Sequence, residues 1–184
     1  MNIRITILLF TLIAFQIKAQ YSSIYTFSVP ADGSQPYGNL FYDQGYLYGA
    51  TQSGGSANKG TIYKVKTDGT GYETLLNFDD STGYWPCGAL ISDGNFLYGT
   101  TSYGGFGNGT IFKIRKDGTG FLRIFCFGFS NMGRPLGSIV YDGTFFYGTT
   151  GYGGVNGNGT FYKIKPDGTG FATLHDFNNS DGNI

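Results

Sequence analysis

The chain has 184 residues, of which 40% are apolar, 18% aromatic and 13% charged, and its 12 Lys and Arg are balanced by 12 Asp and Glu. With no basic excess to meet phosphates, composition excludes a nucleic-acid binder. The 32 glycines alone would suit disorder, but disordered segments lack the aromatic and β-branched residues that are plentiful here.

Residues 1–19 read as a secretory signal peptide. Arg4 gives a positive start, an apolar run extends from Ile5 to Ile17, and Ala19 offers a small residue before a cut at Gln20. The run is too short for a bilayer span, and no later stretch is long enough for one. The expected destination is secreted, extracellular or at the cell surface, with residues 20–184 forming the folded part. Residues 21–27 come next as a lone outer strand, since Tyr21, Tyr25 and Phe27 align with Tyr72, Leu76 and Phe78.

A unit of 49 to 50 residues then occurs three times, over 36–78, 86–127 and 135–177. Tyr48-Gly49, Tyr98-Gly99 and Tyr147-Gly148 fall in step, as do the turns Asp68-Gly69-Thr70-Gly71, Asp117-Gly118-Thr119-Gly120 and Asp167-Gly168-Thr169-Gly170. A unit recurring at this length is one supersecondary block that cannot bury its apolar face alone. In the second copy, short runs rich in Ile, Phe, Tyr and Thr are bounded by Asp93-Gly94, Asn108-Gly109 and Asp117-Gly118. Such runs are strands joined by turns, four to a copy. In the third run Thr110, Phe112 and Ile114 alternate with Ile111, Lys113 and Arg115, while Phe96 and Leu97 make the second run apolar on both faces. Sheets covered on both sides point to an all-β fold, a partial β-propeller of four-stranded antiparallel blades: about three blades plus the extra N-terminal strand. A β-solenoid is the alternative. Gly49, Gly99 and Gly148, inside the second strands, are expected to mark close approach of a neighbouring blade's backbone. Residues 178–184 resemble the start of a further repeat. Three blades would leave open edges, so the missing blades are expected from a longer chain or from self-association.

The string Leu97-Tyr98-Gly99-Thr100-Thr101, Gly104-Gly105, Asn108-Gly109-Thr110-Ile111-Phe112-Lys113-Ile114 and Asp117-Gly118-Thr119-Gly120-Phe121 resembles the GloVer tandem repeat. The resemblance spans residues 36–177. The first copy departs from it: Ala50 stands where Thr100 does, and Ser56-Ala57-Asn58-Lys59 fills the loop. It implies an exported bacterial protein with many such units and a variable C-terminal surface anchor or sorting domain. It implies no catalytic residue.

Residue chemistry is sparse. Glycoside hydrolysis needs two facing carboxylates, yet six of the eleven aspartates (Asp43, Asp68, Asp93, Asp117, Asp142, Asp167) fall in repeated turns. His175, the only histidine, reads as a surface substitution on an outer strand. It cannot form a zinc site with two cysteines spaced as Cys87 and Cys126 are. Those cysteines belong to the first and fourth strands of one blade, about 14 Å apart at the usual strand spacing, so free thiols are expected. Hard oxygen ligands at Asp79-Asp80 and at 178–181 would suit calcium, but neither loop has a calcium-binding spacing, and neither a metal nor a cofactor is assigned. The remaining candidates are loop aromatics: Tyr84 and Trp85 before the second blade, with Tyr103 and Tyr152 before Gly-rich loops. They would stack on sugar rings or pack between blades. The function expected is a non-catalytic exported module, surface-displayed, that binds glycan or a cell-surface protein or acts as a spacer. The alternative is a fragment of a carbohydrate-active enzyme whose catalytic residues lie elsewhere.

Overall fold

Stretches between the Asp-Gly and Asn-Gly turns alternate with period two and fold as strands. The computed structural model describes residues 21–28, 30–128 and 132–181; the signal peptide assigned to 1–19 lies outside the described residues. β1 (Ser34–Asp43), β2 (Tyr46–Ser53), β3 (Thr61–Lys66) and β4 (Glu73–Asn77) form the first sheet in that order. β5 (Tyr84–Ser92), β6 (Phe96–Tyr103), β7 (Thr110–Arg115) and β8 (Leu122–Cys126) form the second. In the third, β9 (Met132–Pro135) and β10 (Val140–Tyr141) both pair with β11 (Phe146–Gly153), followed by β12 (Thr160–Ile164) and β13 (Ala172–Asp176). All pairings between these strands are antiparallel, and among the described residues no sheet closes into a barrel. The first two sheets start ahead of Pro36 and Pro86 because Ser34 pairs with Ser53 and Tyr84 with Tyr103.

The sheets stack face to back. Tyr48, Ile62 and Leu75 from the back of the first meet Leu90, Leu97, Phe112 and Ile114 on the front of the second. Tyr98 and Ile111 from the back of the second meet Ile139, Phe146, Tyr162 and Ile164 on the front of the third. The aromatic just beyond β4 and the one beyond β8 reach across: Phe78 lies 5.3 Å from Phe112, and Phe127 lies 5.3 Å from Tyr162. At the inner edge the backbones nearly touch. A Cβ on Gly38 would sit 2.4 Å from the Gly88 carbonyl oxygen, and one on Gly88 would sit 2.5 Å from the Ser138 amide.

Glycine in the middle of β2, β6 and β11 serves a different partner from the one expected. A Cβ on Gly99 would meet the Phe112 ring tip at 2.6 Å, and one on Gly148 would meet the Tyr162 hydroxyl at 2.4 Å. Both aromatics are cross-strand partners in the same sheet. The glycine therefore makes room for an aromatic ring laid across its own sheet, and the neighbouring blade's backbone is not involved. The recurring threonines are equally specific. Thr101 Oγ1 donates to the Tyr103 carbonyl, so the proton on the 2.8 Å bond to Thr110 Oγ1 comes from Thr110. The same buried pair recurs as Thr51–Thr61 at 2.9 Å and Thr150–Thr160 at 3.0 Å.

Residues 21–27, expected as an outer strand, carry no strand pairing, because no neighbouring strand lies beside them among the described residues. They nevertheless occupy an outer strand's place. Phe27 packs 5.2 Å from Tyr63, as Phe127 does against Tyr162, and Tyr25 stacks on Tyr72 at 4.3 Å, as Phe125 does on Phe171 at 4.6 Å.

The turn aspartates hold the hairpins. Asp68, Asp117 and Asp167 accept the amide and hydroxyl of the threonine two residues on. These bonds hold all three carboxyls below the usual range, the amide leading at Asp68 and the hydroxyl at the other two. Burial pushes Asp93 upward, but the Phe96 amide, the Tyr98 hydroxyl and the Asn95 amide outweigh it, and the net shift is downward. On the alkaline side, burial raises Tyr63 to about 12. Carboxyls depressed in the native state lend stability above their unfolded value near 4 and lose it as pH falls through the folded values. A raised phenol lends stability below its unfolded value near 10 and loses it as pH rises towards the folded value. The urea midpoint is therefore expected to be flat between roughly pH 5 and 9 and to fall on either side. A midpoint unchanged at pH 2.5 would show that the turn carboxylates carry no native-state advantage.

Candidate functional site

One end of the stack collects the aromatics. β6 ends at Tyr103 opposite Tyr84 at the start of β5, and β11 carries Tyr152 opposite Gly133. Tyr84 and Tyr103 stack at 5.5 Å with an interplanar angle of 7°. Trp85 stands edge-on to both, 5.7 Å from Tyr84 and 5.0 Å from Tyr103, and is 40% exposed. Tyr152, 51% exposed, belongs to the next sheet and is joined to the cluster through Arg134. The Arg134 guanidinium lies 3.9 Å from the Tyr103 ring centre and 5.1 Å from that of Tyr152. On the other side Lys59 sits 4.5 Å over Tyr84 while also pairing with Asp80. The result is a ladder of cations and aromatic faces, with the two stacked tyrosines held between cations: Lys59, Tyr84, Tyr103, Arg134, Tyr152. Cation–π attraction fixes the rings while leaving the rim hydroxyls free to bond. Beside it runs an open groove of about 480 Å³, lined by Asp80, Ser81, Tyr84, Tyr103, Phe106 and Asn108 among others.

The backbone explains the placement. Gln35, Trp85 and Arg134 each precede a proline, and each has positive φ (55°, 55° and 48°). The amide of Trp85 donates to the Lys59 carbonyl of the preceding sheet, and that of Arg134 donates to the Asn108 carbonyl. The left-handed conformation therefore belongs to the repeat, where it anchors one sheet to the loop of the one before, and turns whatever side chain stands there out of the sheet. Tyr84, Trp85, Tyr103 and Tyr152 were named from sequence as loop aromatics, whereas the structure places them at the ends of strands β5, β6 and β11. Lys59, Arg134 and Phe106 were not named, although the alignment of Gln35, Trp85 and Arg134 ahead of prolines was a usable signal.

The carboxylates are otherwise engaged. Asp79 accepts the Ser81 and Thr82 amides, Asp176 the Val155 amide, and Asp32 the Tyr25 hydroxyl. Asp43 pairs with Lys116 at 2.7 Å, and Glu73 with Lys64 at 2.9 Å. His175, half exposed on β13, lies 3.0 Å from Asp181. Among the described residues no three His, Cys, Asp or Glu side chains are grouped to hold a metal. Cys87 and Cys126 are both free thiols, on the two edge strands of the second sheet, and the buried Cys87 Sγ lies 2.8 Å from Ser102 Oγ. Among the described residues no helix is long and apolar enough to cross a membrane.

Stacked antiparallel sheets of one repeated sequence, two of four strands and a third whose first strand is split into β9 and β10, define an all-β repeat protein of partial-propeller type. The chain belongs to the family described as the Gloeobacter/Verrucomicrobia repeat, which it matches over residues 10–184. Among solved structures it is similar to a putative TolB from Agrobacterium tumefaciens, with a TM-score of 0.52 and 18% identity over 72% of this chain and 46% of that one. It is also similar to the tricorn protease, with a TM-score of 0.51 and 16% identity over 76% of this chain and 13% of that one. An α-L-arabinofuranosidase from Lactobacillus brevis aligns at 15% identity over 78% of this chain and 53% of that one, with a TM-score of 0.45. The chain thus spans about half the length of the TolB structure and a smaller share of the protease. These likenesses concern the fold. No curated protein matches the chain.

Proposed function

We propose that this protein is an exported, non-catalytic repeat module that binds glycan through the aromatic end of its sheets, displayed at the cell surface. In this reading residues 1–19 are the signal peptide and 20–184 the module, with repeats at 36–78, 86–127 and 135–177, and residues 178–184 opening a further one. The observation that carries it is the Tyr84–Trp85–Tyr103 cluster, with Trp85 exposed and the two tyrosines half-buried, beside an open groove. The exposed rings of Trp85 and Tyr152 are the ones open to the apolar face of a sugar ring, while neighbouring polar groups bond its hydroxyls. Commitment of the acidic side chains to turns and ion pairs favours retention over cleavage.

The single tryptophan makes the test direct. Titration with soluble cello-, xylo- and chito-oligosaccharides should shift Trp85 emission for at least one of them, and the same mixture should show no new reducing ends. Tyr103→Ala, which removes the ring that Trp85 packs against, is expected to weaken that binding about fivefold, in line with about 1 kcal/mol for an aromatic contact. Trp85→Gly, which keeps the left-handed backbone, should weaken it comparably by calorimetry. Unchanged affinity in both variants would sink the aromatic platform, and release of sugar would favour the enzyme alternative.

A further inference from the structure

Every acidic side chain of the sequence lies among the described residues, and the ion pairs there are Lys59–Asp80, Lys64–Glu73, Lys116–Asp43 and His175–Asp181. Two guanidiniums at the aromatic end therefore have no carboxylate beside them. Arg134, half-buried at the junction of the second and third sheets, packs between ring faces, 3.9 Å from the centre of Tyr103 and 5.1 Å from that of Tyr152. Arg123 on β8 lies 5.3 Å from the centre of Phe106, and its buried Nη1 has no hydrogen-bond partner among the described residues. Neither position is cationic in the other copies. Gln35 and Trp85 stand where Arg134 does, and Thr74 and Thr173 stand where Arg123 does. The polar acceptor next to them has changed as well. In the first and third copies Asn77 and Asp176 accept the amides of Ser56 and Val155, whereas Cys126 takes that place in the second. Uncompensated positive charge thus gathers around residues 103–108, which wall the open groove.

Resting on the glycan reading above, we infer that this groove takes an acidic sugar, a uronate, whose carboxylate pairs with Arg134 while its ring lies on the exposed face of Trp85. Both side chains pack on one ring: the Tyr103 centre is 5.0 Å from that of Trp85 and 3.9 Å from the Arg134 guanidinium. Stacking surface and charge are therefore neighbours. A guanidinium keeps its charge at any working pH, and its planar fork of N–H groups matches a carboxylate. Contact with Tyr103 and Tyr152 holds that fork in place before the ligand arrives, so less side-chain freedom is lost on binding. Asp80, the carboxylate in the groove lining, is already paired with Lys59 and does not repel an acid as a free one would. Arg123 adds to the field from the Phe106 side of the same loop. The two sheets that meet at Arg134 are both in place, so the site depends on neither end of the stack.

Calorimetry with short oligogalacturonates and oligomannuronates, each beside its methyl ester, tests this directly, because the ester keeps the ring and removes the charge. At least one acid should bind about tenfold or more tightly than its ester, as a charge-assisted hydrogen bond gives. That advantage should shrink as salt is raised. Arg134→Gln should abolish it and leave ester binding unchanged; the backbone tolerates the change, since Gln35 holds the same left-handed conformation in the first copy. Arg134→Lys, a point charge without the fork, should restore only part of it. Arg123→Thr, the residue of the other two copies, should cost less than Arg134→Gln does. Equal binding of acid and ester, or an advantage that survives Arg134→Gln, would overturn the acidic-sugar assignment and leave the glycan reading standing. Silence from acids, esters and the neutral oligosaccharides alike would overturn both.

Discussion

Phe112→Ala is expected to lower the unfolding free energy by about 3–5 kcal/mol, the range for emptying a buried aromatic site. The side chain is fully buried. It lies across Gly99 within its own sheet, touches Phe78 of the first sheet at 5.3 Å, and stacks with Phe121 at 5.9 Å. Truncation removes the ring from both the intra-sheet and inter-sheet contacts. The surrounding strands cannot collapse into the space, because their backbones are held by ladder hydrogen bonds on both sides. Urea denaturation would measure the loss, with Leu122→Ala on the exposed face of β8 as a control expected to change stability by about 0.5 kcal/mol or less. Phe78→Ala should be less than additive with it, since both rings border one cavity. A full-sized second loss would mean that the two rings do not share a site.

Gly109→Ala is expected to cost about 3 kcal/mol or more, through strain and steric overlap together. Gly109 has a φ of 108°, and a Cβ there would fall 2.1 Å from the Thr101 carbonyl oxygen and 3.0 Å from Pro135. Its own carbonyl accepts the Phe127 amide at 2.9 Å, so the residue cannot move aside without pulling Phe127 from the second inter-sheet core. Gly94→Ala provides the contrast: φ is 102°, but nothing lies within 4 Å of the added carbon. That variant should lose only the conformational component, about 1–2 kcal/mol. Thermal melts of the pair separate strain from clash, and equal losses would show that the Thr101 carbonyl plays no part.

Strand order, turn positions and blade size were readable from residue pattern, because each depends on neighbours close in the chain. Asp117 bonding Thr119 needs two residues, and the Thr110-to-Arg115 alternation needs six. Separation of Cys87 from Cys126 followed from the same order, since four antiparallel strands in sequence put the first and last at opposite edges. What depended on distant residues was not readable. The ring that fills the space beside Gly99 belongs to Phe112, thirteen residues on, and the register that unites them is visible only once β6 and β7 are paired. Arg134 reaches Tyr103 of the preceding sheet because its backbone N–H donates a hydrogen bond to the Asn108 carbonyl and fixes its position. Leu40 is 49% exposed while Leu90 and Ile139, at the same position of the next two copies, are 4% and 1% exposed; an apolar residue at a matching position carries no mark of its place in the stack, and its burial is set by packing alone.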